Sequence, residues 1–129
     1  MTRAEYAVEN HKKGCNCAQA VACAFADKTN LTEDELFKLS EAFGGGMGGT
    51  QGVCGAVSAM VLIAGCVKSY GINVLPDTNK KQSYEFARSL IQKFEQKNQT
   101  VICSRLKGEC IRSCDGCIED AVNILEENL

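Results

Sequence analysis

The stretch GGGMGGTQGVCGAVSAMVLIAGCVKSY, residues 44–70, decides the fold predicted for this chain. Its first nine residues include six glycines and are expected to form an irregular loop with little side-chain bulk. Residues 53–70 are apolar on most faces of a helix, which is typical of a helix at the centre of a domain rather than on its surface. Small residues recur along this helix, so neighbouring backbones can approach it closely.

Helical patterns continue on both sides of this segment, and no convincing strand interrupts them. Asn16 with Gln19 has the spacing of a capping box at a helix start, and a second box begins at Thr32. The flanking segments carry apolar side chains at helical spacing, as amphipathic helices do. The pattern therefore predicts an all-α fold, a single-domain helical bundle of five to six helices over residues 1–129. A chain of this length can bury a core without help from metals or disulfides.

Composition and charge exclude several classes of function. Apolar residues make up 45% and charged residues 23% of the chain, which is ordinary for a globular protein and excludes wholesale disorder. The net charge is −2 and there is no basic block, so nucleic acid is not an expected partner. The polar N-terminus lacks the apolar core of a signal peptide, and the longest apolar run is too short and interrupted to span a membrane. These features predict a cytoplasmic protein without membrane insertion.

Four of the nine cysteines lie at predicted helix starts. Cys17 follows a capping asparagine, and Cys54 lies in the opening turn of the central helix. Cys103 precedes a short polar stretch expected to form one helical turn, and Cys117 follows Asp115-Gly116, which is expected to form a turn before the last helix. The free N–H groups and partial positive charge of a helix start favour a thiolate over a thiol. Thiolates attack disulfides and ligate metals, so these positions indicate redox or metal chemistry.

The other five cysteines carry weaker signals. Cys23 and Cys66 lie inside apolar helices and are expected to pack as small hydrophobic residues. The roles of Cys15, Cys110 and Cys114 stay open at this point. In the cytoplasm thiols stay reduced, so a chain this rich in cysteine more often binds metal or cycles between redox states than carries static disulfides.

The cysteine spacing leaves three chemistries open. Only Cys114-x2-Cys117 has the paired form of a zinc ribbon, so zinc is less favoured than an iron–sulfur cluster. A dithiol–disulfide pair is comparable with the cluster, although the βαβ context of thioredoxin-type motifs is missing. Nucleotide binding is not expected, because Gly44-x-Gly46-x-x-Gly49 follows a helix rather than a strand and no phosphate-loop lysine comes after it. His11, the only histidine, is interpreted as a helix-face residue and not as a ligand.

Together these residues resemble the family of redox-active proteins named for a C_GCAxxG_C_C cysteine pattern. The similarity lies in residues 14–20 (GCNCAQA), 43–47 (FGGGM) and 54–59 (CGAVSA), and in the late cysteines. It spans nearly the whole chain, and the ordered combination is more specific than any one piece. The chain departs from the pattern at Ala59, where the pattern has its second glycine, and at Cys15, where an aromatic residue is usual.

The resemblance implies a small helical protein whose four shared cysteines are Cys17, Cys54, Cys103 and Cys117. A similar cysteine-bearing region occurs in split-Soret cytochromes, which raises the option of an iron–sulfur cluster. In that version of the hypothesis all four cysteines are its ligands. In the thiol version of the hypothesis, Cys54 is the attacking thiolate, because a helix start and the glycine loop activate and expose it, and Cys17 is the resolving thiol.

Two classes of function follow from these observations. The leading hypothesis is electron or thiol redox chemistry with an external redox partner, which would make the chain an oxidoreductase if the site is catalytic. The alternative is a non-enzymatic protein that binds zinc or another soft metal, or that acts beside a transporter. A homodimer is a further expectation, because a small domain built from apolar helices can leave one apolar face uncovered.

Overall fold

The computed structural model describes residues 1–129, and its regular structure is helical throughout. The all-α prediction is confirmed, but there are seven helices rather than five to six. The added helix is the polar stretch from Cys103 onward, which was expected to form only one turn. The helices are α1 (Arg3–Lys12), α2 (Cys17–Cys23), α3 (Glu33–Ser40), α4 (Gly55–Lys68), α5 (Lys80–Asn98), α6 (Cys103–Gly108) and α7 (Cys114–Asn128).

Side-chain caps begin α2 and α3 as the sequence predicts. The side chain of Asn16 accepts a hydrogen bond from the backbone N–H of Gln19, whose own side chain accepts one from the N–H of Asn16. Thr32 and Glu35 form the same reciprocal pair at the start of α3. Because a capping box satisfies N–H groups that have no partner within the helix, it fixes where each helix begins. The first box therefore makes Cys17 the first residue of α2.

The helix α4 lies at the centre of the domain, as predicted from its apolar faces. It packs against α2, α5 and α7, and its buried residues run from Gly55 to Ala64. The core contacts end before its last turn, so Cys66 is exposed and the prediction that Cys66 packs as a hydrophobic core residue is wrong. Cys23 is buried, as predicted. Neither α4, with 14 residues, nor any other helix has both the length and the apolar character needed to cross a bilayer.

The start of α7 differs from the prediction of a turn at Asp115-Gly116, because both residues lie within the helix. The hydroxyl of Ser113 accepts a hydrogen bond from the N–H of Gly116 and so caps a helix that begins at Cys114, three residues earlier than expected. The glycine is explained by packing, since a Cβ there would collide with the guanidinium group of Arg112. Arg112 crosses this first turn and pairs with the buried carboxylate of Asp120 at 3.1 Å.

Candidate functional site

Five of the nine cysteines line one pocket, although four different helices supply them. Cys17, Cys103 and Cys114 are the first residues of α2, α6 and α7, and Cys54 is the cap residue of α4. Cys117 lies one turn further along α7. The starts of four helices therefore meet at the pocket, where their free N–H groups and partial positive charge favour anionic sulfur.

A single antiparallel bridge between Val53 and Ile102 holds two of these cysteines side by side. The N–H of Cys54 donates to the carbonyl of Val101 at 2.7 Å, and the N–H of Cys103 donates to the carbonyl of Gly52 at 2.7 Å. These bonds tie the start of α4 to the start of α6, although α5 separates the two helices along the chain.

The glycine loop, residues 44–52, passes so close to Cys103 that it leaves no room for a side chain at Gly46. This glycine has a φ of +73°, a region that residues with a Cβ rarely adopt. A Cβ there would also lie 2.7 Å from the Cβ of Cys103 and 2.8 Å from the Cα of Gln51. The loop therefore forms one wall of the pocket with bare backbone.

A second glycine brings α2 close to α4. A Cβ on Gly55 would lie only 3.2 Å from the backbone nitrogen of Ala18, and α2 and α4 make the most extensive helix–helix contact of the domain. Because Gly55 follows Cys54 and Ala18 follows Cys17, the close approach of the two backbones brings these two cysteines to the same pocket.

Cys54 is the thiol of this pocket whose surroundings favour the charged form. A hydrogen bond from the thiol of Cys117 is the largest cause, and the backbone N–H groups of Val57 and Ala56 and the charge of Lys107 act in the same direction. Burial opposes them, yet the net result lowers the pKa of Cys54 to about 7. The same thiol–thiolate hydrogen bond, together with burial, raises the pKa of Cys117, so Cys117 keeps its proton and donates it.

The thiols of Cys17 and Cys103 favour the protonated form. Burial, with the neighbouring sulfurs of Cys114 and Cys54, raises the pKa of Cys17 to about 12. Burial also raises the pKa of Cys103. Lys107 also lines the pocket, and the sulfurs of Cys114 and Cys103 raise the pKa of its ammonium group. The pocket therefore combines one thiolate-prone sulfur with several thiols that can supply protons.

All nine cysteines are free thiols, and the pocket between the five is small. The volume open to the centre of a water molecule is about 20 Å³, which is room for about one water. No three cysteine, histidine or carboxylate side chains are arranged to hold a metal ion. The donor set is nevertheless soft thiol sulfur, which is the ligand type of zinc and iron–sulfur sites.

The structure places all four sequence-predicted site residues in this pocket: Cys17, Cys54, Cys103 and Cys117. Cys54 is buried, with 5% of its surface exposed, so the prediction that the glycine loop exposes it is wrong. Sequence reasoning left open Cys114, which also lines the pocket, and did not consider the two cations Lys107 and Arg112 that line it too. The Cys114-x2-Cys117 spacing was the available signal, since it puts both cysteines on one helix face once the helix is known to begin at Cys114.

Cys15 lies outside the pocket, in a shallow groove that it shares with Cys23. His11 lies on a helix face, where it pairs with Asp115.

Fold and site together define an all-α protein with a cysteine-lined pocket at the meeting point of four helix starts. A family model described as "Putative redox-active protein (C_GCAxxG_C_C)" matches residues 15–128, and the chain belongs to that family. No curated protein and no solved structure matches the chain.

Proposed function

We propose that this chain is a thiol–disulfide redox protein whose reactive pair is Cys54 and Cys117. The observation that carries the proposal is geometric: Cys54 is the cap residue of α4, where the first N–H groups of the helix have no partner within the helix, and it lines one small pocket with Cys117. Such donors stabilise a thiolate, and the thiolate is the form that attacks a disulfide. A pKa of about 7 leaves roughly half of Cys54 ionised at neutral pH.

The reaction begins when the Cys54 thiolate attacks one sulfur of a substrate disulfide, R–S–S–R. A mixed disulfide Cys54–S–S–R forms, and one R–S⁻ leaves. Cys117 then loses its proton and attacks the Cys54 sulfur, which gives a Cys54–Cys117 disulfide and releases the second R–S⁻. Two electrons pass from the protein to the substrate, which leaves as two thiols. We assign Cys117 the resolving role that the sequence hypothesis gave to Cys17, because Cys117 lines the same pocket and is the thiol that lowers the pKa of Cys54 most.

The experiment is incubation of the reduced protein with oxidised glutathione, followed by acid quenching, alkylation, tryptic digestion and mass spectrometry. A disulfide between residues 39–68 and 113–129 is expected in the wild type, and it should disappear in Cys54→Ser. Cys66→Ser is the matched control, because Cys66 lies on the same helix and the same peptide but is exposed outside the pocket. A link that persists in Cys54→Ser, or that never forms in the wild type, would contradict the proposal.

A second candidate function is the binding of an iron–sulfur cluster, and it is supported by the four cysteines implied by the family resemblance, which line one pocket. Cys17, Cys54, Cys103 and Cys117 would hold the cluster, and the cluster would supply one-electron transfer. Cys103→Ser separates the two functions, because Cys103 is a ligand in one and has no role in the other. Anaerobic purification with iron and sulfide analysis and visible absorption would show a colour that Cys103→Ser loses if the cluster is real.

The metal-binding alternative predicts equimolar zinc retained through dialysis, with no thiol exchange. The proposed thiol chemistry suits the cytoplasm, where thiols stay reduced, and it requires an external partner that carries a disulfide or a dithiol. A transporter as that partner and a homodimer as the assembled form stay predictions.

A further inference from the structure

Two of the five pocket cysteines differ from the reactive pair in their exposure. Cys54 and Cys117 are buried, with 5% and 3% of their surface exposed. Cys17 and Cys114 are only half-buried, so both reach the rim of the pocket. A molecule that approaches from solvent therefore meets Cys17 and Cys114 before it meets the inner pair.

These two rim cysteines are neighbours in space, although most of the chain separates them. They are the first residues of α2 and α7, which pack against each other. Cys17 and Cys114 line the same small pocket, and Lys107 lines it beside them. The four cysteines that the resemblance implies do not include Cys114.

We propose that Cys17 and Cys114 form a second redox dithiol at the rim of the pocket, beside the inner pair of Cys54 and Cys117. The proposal rests on the thiol–disulfide function proposed above. It makes Cys114 a catalytic residue and raises the capacity of the site from two electrons to four.

The chemistry at the rim is the same exchange. One rim thiolate attacks an external disulfide, R–S–S–R, and releases R–S⁻. The other rim thiol, once deprotonated, attacks the mixed disulfide and releases the second R–S⁻, which leaves a Cys17–Cys114 disulfide. The protein is oxidised by two electrons and the external disulfide is reduced to two thiols. Cys114 is suited to this exchange because it is only half-buried, so an external disulfide can reach its sulfur.

The test maps the disulfides of the full-length protein after saturation with oxidised glutathione. Digestion with trypsin and with a protease that cuts before aspartate separates Cys114 from Cys117, because Asp115 lies between them. Residues 113–114 should then be linked to residues 14–26, and residues 115–119 to residues 39–68. The intact wild type should lose four hydrogens through two internal disulfides.

Cys114→Ser should lose only two hydrogens and keep the inner Cys54–Cys117 disulfide, and Cys17→Ser should do the same. Cys110→Ser is the matched control, because Cys110 is near Cys114 in sequence but exposed and outside the pocket, and it should behave as the wild type. An inner disulfide alone, or a Cys114–Cys117 disulfide, in the wild type would overturn the rim dithiol. A wild type without any Cys54–Cys117 disulfide would instead overturn the proposed function.

Discussion

Replacing Gly46 with alanine tests whether the glycine loop forms the pocket wall by leaving side chains out. Gly46 and Gly49 have nearly the same φ, +73° and +75°, so alanine at either position pays the cost of left-handed backbone, about 1–2 kcal/mol. Only the Cβ at Gly46 would also meet Cys103 at 2.7 Å, whereas nothing lies within 4 Å of a Cβ at Gly49. Overpacking of this kind costs about 1–3 kcal/mol more. We therefore expect Gly46→Ala to destabilise the protein by about 2–5 kcal/mol, and Gly49→Ala by about 1–2 kcal/mol.

Urea titration of the two variants under reducing conditions measures both free energies of unfolding. A thermal melt should agree, with a shift of about 3–5 °C for each kcal/mol in a domain of this size. Because the clash pushes on the Cβ of Cys103, the native-state alkylation rate of Cys103 should also change in Gly46→Ala and not in Gly49→Ala. Equal losses of stability in the two variants would refute the reasoning, since the contact with Cys103 would then cost nothing.

Three further predictions concern single residues of the site and its support. The alkylation rate of Cys54 should rise with pH around a midpoint near 7, because the thiol reacts only after it loses its proton, and Cys117→Ala should move that midpoint upward by removing the largest stabilising hydrogen bond. Burial raises the pKa of Asp120, but hydrogen bonds from an arginine and an asparagine outweigh it and hold the pKa below its usual value. The ionised Asp120 carboxylate therefore stabilises the folded protein above the pKa of about 4 that it has in the unfolded chain, and this stabilisation is lost as the pH falls through its lower pKa in the folded protein. Urea titrations at several pH values should show this loss of stability in the wild type and not in Asp120→Asn. On α4, Gly55→Ala should destabilise by about 1–3 kcal/mol through its contact with α2, whereas Gly65→Ala, with nothing within 4 Å, should stabilise by about 0.5–1 kcal/mol in the same thermal melts.

Local patterns were enough to predict most of the fold. The capping boxes at Asn16 and Thr32 depend on residues three positions apart, so their geometry is readable without knowing the rest of the molecule. The central position of α4 follows from its apolar faces for a similar reason. The start of α7 was mispredicted, because the cap at Ser113 competed with the turn signal of Asp115-Gly116, and the glycine is there to make room for Arg112.

The exposure of individual cysteines was less predictable. Cys66 lies in an apolar helix, yet the other helices leave the last turn of α4 uncovered. The point along α4 at which burial ends depends on helix packing and cannot be predicted from the local sequence. Cys15 departs from the family pattern, yet it lies outside the pocket, and the fifth cysteine that lines the pocket is Cys114.

The amino-acid sequence by itself determined the helical class, the caps that set Cys17 at a helix start, and the four cysteines around which a site can form. Only the tertiary structure decided which sulfurs are neighbours, because pairs such as Cys54 with Cys117 come together through helix packing between segments far apart in the chain. It also decided which of those thiols is prone to ionise. That property depends on donors and on burial, and both exist only once the helices have packed.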